Sequence, residues 1–202
     1  MSPIKPKHYD EAKTYTEGFE KLPAGAYVVK TDNAKIEINN RDGKNYEWLV
    51  IGFDIVEGEQ AGFFKRQYDA NTDENKKWKG VIRISIPGEF EAADSISNRQ
   101  HKTCMAALED SNDGFFHQWH EGNDKYTAQF KGLTVGAVFR DKEYDFEGKQ
   151  GFFAECIRFA DVNKVREGKV KTPEPKYLDG NAPKSAAGGK PVDNTDIDDM
   201  PI

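Results

Sequence analysis

A mainly β domain with one inserted helix is the fold class that the sequence predicts, and three observations predict it. Apolar residues alternate with polar ones over five stretches between residues 26 and 159, the period of strands half-buried in a sheet. One stretch, 96–110, switches to helix-forming residues preceded by cap residues. The two ends of the chain show neither period.

Residues 1–21 carry scattered polar and aromatic positions and read as an N-terminal arm. In the first strand, 26–38, Ala34, Ile36 and Ile38 alternate with Lys35 and Glu37. Residues 39–45, Asn-Asn-Arg-Asp-Gly-Lys-Asn, form a turn by composition. The second strand, 47–56, puts Leu49, Ile51, Phe53 and Ile55 on one face and Trp48 on the other. A turn at 57–60 leads to Phe63–Tyr68, a polar loop over 69–77, and Trp78–Pro87, where Ile82, Ile84 and Ile86 alternate with Val81, Arg83 and Ser85. This region is the third strand, interrupted or doubled by the loop. Asp94-Ser95-Ile96-Ser97-Asn98 opens the helix at 96–110, with Lys102, Met105, Ala106, Ala107 and Leu108 inside it, and Ser111-Asn112-Asp113-Gly114 stops it. The fourth strand, 133–140, aligns Val135, Ala137 and Phe139; the fifth, 151–159, aligns Phe153, Ile157 and Phe159 across a hairpin loop at 141–150. Alternation assigns Phe53, Phe139, Phe153 and Phe159 to the core. Three strands, a helix and two strands is the order of a five-stranded OB-type Greek-key barrel with its helix between strands three and four. A generic small β-barrel or an α+β sheet is the alternative. The domain spans 22–176 and a tail spans 177–202.

Composition narrows the function classes. At 37% hydrophobic and 12% aromatic residues the chain can bury one core. No apolar run approaches the roughly 20 residues of a membrane helix, and the N-terminus has no apolar signal region, so the cytoplasm is expected. Two cysteines, Cys104 and Cys156, make no disulfide framework. The net charge of -6 counts against phosphate binding, but its distribution is uneven. Residues 63–83 hold six Lys or Arg against three Asp or Glu, a net of +3; residues 164–176 hold five against two, again +3. Residues 183–202 hold two Lys against four Asp, a net of -2.

On an OB-type barrel a single strand lies across strands two and three, between the loops after strands one and four. Flat rings stack on bases there and Lys or Arg track the backbone. The candidates are Arg41, Lys44, Tyr46 and Trp48 beside the first loop, and Lys65, Arg66, Tyr68, Trp78, Lys79 and Arg83 in the third-strand region. Arg140, Lys142, Tyr144 and Lys149 surround the last loop. Core packing competes with stacking for each ring. A metal site is weighed as well: His101 and Cys104, then twelve residues, then His117 and His120 approach zinc-finger spacing. Three His with one Cys is an unusual ligand set, and the preferred reading leaves His101 and His117 at the surface and Cys104 in the core. No carboxylate constellation, Gly-rich phosphate loop or Ser/His/Asp grouping supports catalysis, and no cofactor is expected.

From Pro183 to Asp193 the residues build no core, so the segment reads as a flexible leash. Beyond it, Asp196, Asp198, Asp199, Met200, Pro201 and Ile202 place carboxylates ahead of an apolar terminus, suited to a basic-rimmed pocket that captures the terminal carboxylate. A solvated acidic tail that aids solubility is the other reading. The order acid, acid, apolar, Pro, apolar resembles the C-terminal tip of bacterial single-stranded DNA-binding proteins, with Ile202 where that family ends in Phe. The body is similar in general pattern to small phage-encoded proteins of replication and recombination modules. The similarity lies in Leu22-Pro23-Ala24-Gly25-Ala26-Tyr27, the stretch from Phe63-Phe64 to Pro87, and Gly132-Leu133-Thr134-Val135-Gly136 leading to Phe139-Arg140. These resemblances imply sequence-tolerant binding of single-stranded DNA in phage replication or recombination, with the tip recruiting partner enzymes. The alternative is an interaction adaptor without DNA affinity. Homo-oligomerisation is left open.

Overall fold

The computed structural model describes residues 5, 7, 20–41, 43–146 and 148–179. The tip residues Asp196 to Ile202 and nearly all of the N-terminal arm lie outside them. A five-stranded antiparallel sheet in the order β3-β2-β1-β4-β5 organises the rest. Its strands are β1 Gly25–Arg41, β2 Lys44–Ile55, β3 Val81–Ser85, β4 Thr134–Phe146 and β5 Lys149–Ala160. Four helices accompany it among the described residues: α1 Phe63–Ala70, α2 Ile96–Ser111, α3 Asn123–Ala128 and α4 Val162–Arg166. None is long and apolar enough to cross a membrane.

The mainly β character and the helix between strands three and four follow the sequence expectation. The ladders leave β3 and β5 as the two edges of an open sheet, with α2 packed against β3, β4 and β5. The predicted turn at 39–45 shrinks, because pairing continues to Arg41↔Lys44 and Gly43 takes a left-handed φ of 72° that a tight turn requires. Pairing of β4 with β5 likewise runs on to Phe146↔Lys149, turning the expected loop at 141–150 into a long hairpin.

Leu49, Ile51, Phe53 and Ile55 are sealed on the inner face of β2, together with Ile82, Ile84, Val135, Ala137, Phe139 and Phe159. Each of these side chains apart from Ala137 is worth about 1.5–3 kcal/mol of transfer free energy. Ser95 caps α2 by accepting from the Asn98 amide at 3.2 Å, and the helix lays Cys104, Met105 and Leu108 on this core. A bulge between Thr31 and Asn33 bends β1, whose first part is laddered to both β2 and β4. There the buried Thr31 hydroxyl accepts from the Leu133 amide at 2.9 Å and fixes the start of β4.

Two expectations are corrected. Phe63–Tyr68 is helix α1, not strand. Gly62 enters it with a φ of 72°, and the Asp54 carboxylate accepts from the amides of Phe64 and Lys65 at 3.0 and 3.2 Å, so the first turn is capped from the end of β2. The third strand is therefore β3 alone. Phe153 is not core: it is 43% exposed. Val138 pairs with Arg158 but Phe139 pairs with Cys156, so Ile157 is an extra residue that reverses the alternation of everything before it in β5. Ala154 and Cys156 turn to the core instead.

Candidate nucleic-acid interface

A groove of about 1700 Å³ runs between the β1–β2 hairpin and the β4–β5 hairpin, along the edges left by β3 and β5. Glu37, Ile38, Asn39 and Trp48 form one wall; Arg140, Lys142, Tyr144, Phe152 and Phe153 form the other. The solvent face of α2, with Arg99, Gln100 and Thr103, closes it from below, and α1 contributes Gln67 and Tyr68. Nine Lys or Arg line the groove against three acids, Glu20, Glu37 and Glu155, a net of +6 on a chain of net -6.

Eight of the fourteen predicted residues meet here: Trp48, Tyr68, Trp78, Lys79, Arg83, Arg140, Lys142 and Tyr144. The other six do not. Lys44 and Tyr46 are exposed near the tip of the β1–β2 hairpin, Lys149 is exposed at the β4–β5 turn, and Arg41 ends β1 with its side chain outside the description. Lys65 lies on the far side of α1, paired with Asp69 at 3.0 Å, in a smaller cavity of about 440 Å³ shared with Lys30 and Lys131. Arg66 donates to the Ala61 carbonyl and lies 3.9 Å from Glu20. Of the basic stretch 164–176 only Lys176 reaches the groove; Arg166 is held by Glu57 at 2.6 Å and Lys169 by Glu167 at 2.7 Å.

Fixed contacts orient several of the groove's rings. The Trp78 indole N–H donates to the carbonyls of Phe53 and Gly80 at 3.1 and 3.0 Å, fixing its plane, while the ring stays half-buried. A Cβ on Gly80 would run into the Phe53 carbonyl and come within 2.8 Å of the Phe64 ring, so only glycine lets the chain pass here. Tyr68 backs Trp78 at 5.7 Å between ring centres, with the Lys76 ammonium 4.5 Å from the Tyr68 centre. On the facing wall Tyr144 and Phe153 are 6.3 Å apart and are 39% and 43% exposed. Phe152 packs edge-on to Tyr177 at 5.7 Å.

The cations fall into two kinds. Arg83 lies 3.3 Å from Glu37, whose carboxyl is held below its usual value first by a hydrogen bond from Lys35 and further by Arg83. Arg140 and Lys142 both engage Glu155. By contrast Lys77, Lys79, Arg99 and Arg158 form no ion pair among the described residues. Sequence reasoning missed Lys77, Arg99, Phe153 and Arg158. Lys77 left a trace as one of the six cations of the basic stretch 63–83, and Arg99 because the spacing of the buried residues in α2 puts it on the opposite face.

Two of the histidines, His101 and His117, converge on one hydroxyl. His101 and His117 each place Nε2 3.1 Å from the Tyr126 hydroxyl, and Trp119 stacks across His101 at 5.0 Å. His101 is buried, contrary to its expected surface place, and His117 is half-buried; burial, chiefly, pushes both below the usual imidazole pKa, His101 to about 4. Cys104 lies in the core with its thiol pushed up to about 11 by burial. Among the described residues no group of three or more His, Cys, Asp or Glu is arranged to hold a metal ion.

The chain matches no protein-family model and no curated protein.

Proposed function

We propose that this protein binds single-stranded DNA with little sequence preference, in the service of phage DNA replication or recombination, and that its acidic C-terminal tip recruits partner enzymes. One observation carries the reading: half-exposed rings and an excess of six positive charges are gathered in a single groove of an otherwise acidic protein. Stacking of about 1–3 kcal/mol per base, added to neutralised phosphates, is the chemistry of sequence-tolerant strand binding. The strand order β3-β2-β1-β4-β5, with α2 entering between β3 and β4, supports an OB-type body whose seam between β3 and β5 is open. The hairpins flanking the groove then correspond to the loops between which that fold holds oligonucleotides.

Intrinsic tryptophan fluorescence tests the proposal, because Trp48 and Trp78 both line the groove. Oligo-dT is expected to quench it, with an affinity that falls as salt rises and exceeds that for duplex DNA of equal length. No response to oligo-dT at low salt would leave the adaptor role in its place.

A further inference from the structure

Glu155 stands in the middle of the positive wall. It faces Arg140 across the β4–β5 ladder, and both Nε and Nη2 of Arg140 donate to its Oε2, at 3.0 and 2.8 Å. The Lys142 ammonium donates to its Oε1 at 2.7 Å. All three side chains line the groove, with side-chain exposures of 15% for Arg140, 23% for Lys142 and 27% for Glu155. They are thus drawn away from bulk water yet open to whatever occupies the groove.

We infer that this triad is a seat for a backbone phosphodiester, in which Glu155 holds the place of the phosphate until a strand arrives. The inference rests on the reading of the groove as a single-strand site. A carboxylate and a phosphodiester both present two oxygens that share one negative charge, and a guanidinium fork accommodates either. In the free protein the Glu155 carboxylate lies against two partly desolvated cations and offsets part of their charge. In the complex a phosphate takes over that compensation and the carboxylate turns out to solvent. The neighbouring rings suit this exchange. Phe153 is the register partner of Lys142, whose ammonium is 5.9 Å from the Phe153 centre, and Tyr144 lies beyond. A phosphate on Arg140 and Lys142 brings the adjoining base to these two faces.

The consequence is a built-in competitor that weakens strand binding and flattens its salt dependence. Glu155→Gln in the full chain removes the charge and keeps the shape. Oligo-dT is expected to bind about fivefold more tightly at moderate salt. The slope of log affinity against log salt is expected to steepen by about 0.7 for each cation released to the strand. Glu59→Gln deletes the same charge at an exposed turn outside the groove lining, and is expected to change affinity less than twofold. Unchanged or weaker binding by E155Q, or an equal gain from E59Q, overturns the seat while leaving the strand-binding reading intact. Failure of wild type and E155Q alike to bind oligo-dT removes both. Should E155Q misfold, Glu155→Asp draws the carboxylate back from both cations; tighter binding is again expected, and wild-type affinity counts against the seat.

Discussion

His101, His117 and Tyr126 show how little a residue's type says about its task. One hydroxyl stands between two imidazoles, each with its Nε2 3.1 Å away, so that it can donate its proton to one ring and accept from the N–H of the other, and Trp119 covers the group from outside. The folded His101 takes up its proton only near pH 4, because burial and the neighbouring His117 oppose the charge, whereas the unfolded chain does so near the ordinary imidazole value of 6.5. Between those values the unfolded state carries more protons, so stability is full above pH 6.5 and declines as pH falls through the window. His117, lowered in the same direction, adds to the effect. Urea unfolding at pH 5 is expected to show about 2 kcal/mol less stability than at pH 7 from His101 alone. Equal midpoints at the two pH values would contradict this account. None of it is legible in the one-dimensional spacing of His101, Cys104, His117 and His120, from which the two imidazoles are expected at the surface; the arrival of Tyr126 from α3 decides what they face.

Helix α1 is the element on which the sequence reading and the structure part most clearly. Phe63, Phe64 and Tyr68 favour a strand by propensity, and eight residues are too few to display a helical period. The helix wins because Asp54, ten residues away from Phe64, supplies acceptors to the amides of its first turn, and because Phe63 and Phe64 both reach the core from adjacent positions. Asp54→Ala is expected to cost about 1–2 kcal/mol of stability in chemical denaturation. It is also expected to weaken oligo-dT binding severalfold, since α1 carries the Tyr68 ring that backs Trp78. Asp54→Asn, which keeps an acceptor, should recover most of both. The elements α3 and α4, of six and five residues, went unpredicted for the same reason of length. By contrast α2, at sixteen residues and with a Ser cap, was readable to within one residue.

For the whole molecule the central fact is charge segregation: a net of -6 overall, with an excess of six cations lining one groove. The last ten residues hold four Asp and no Lys or Arg. The described chain ends beside the groove, where Lys176 lines it, Tyr177 packs on Phe152 and the Leu178 amide donates to Glu143 at 2.9 Å. On the proposed reading, an acidic segment following Asp179 would compete with phosphate for the same cations. Deleting Asp193 to Ile202 is expected to tighten oligo-dT binding severalfold at low salt, with the difference fading as salt screens both ligands. Equal affinities for the full and shortened chains would remove this competition from the mechanism.

Strand identity, the inner faces of β2, β3 and β4, and the run of α2 could be read directly from residue order, because side-chain alternation and helical spacing are local properties of the backbone. The order of residues also placed eight of the groove's residues among its candidates, since rings and cations cluster along the strands and the loops beside them. What required the folded chain was the meeting of distant segments. The extra residue at Ile157 turns Phe153 outward, α2 delivers Arg99 to the open edges of β3 and β5, and the cross-strand pairing of Arg140 with Glu155 sets a carboxylate among the cations. Register and packing fix these contacts across tens of residues, a distance over which no periodicity along the chain carries information.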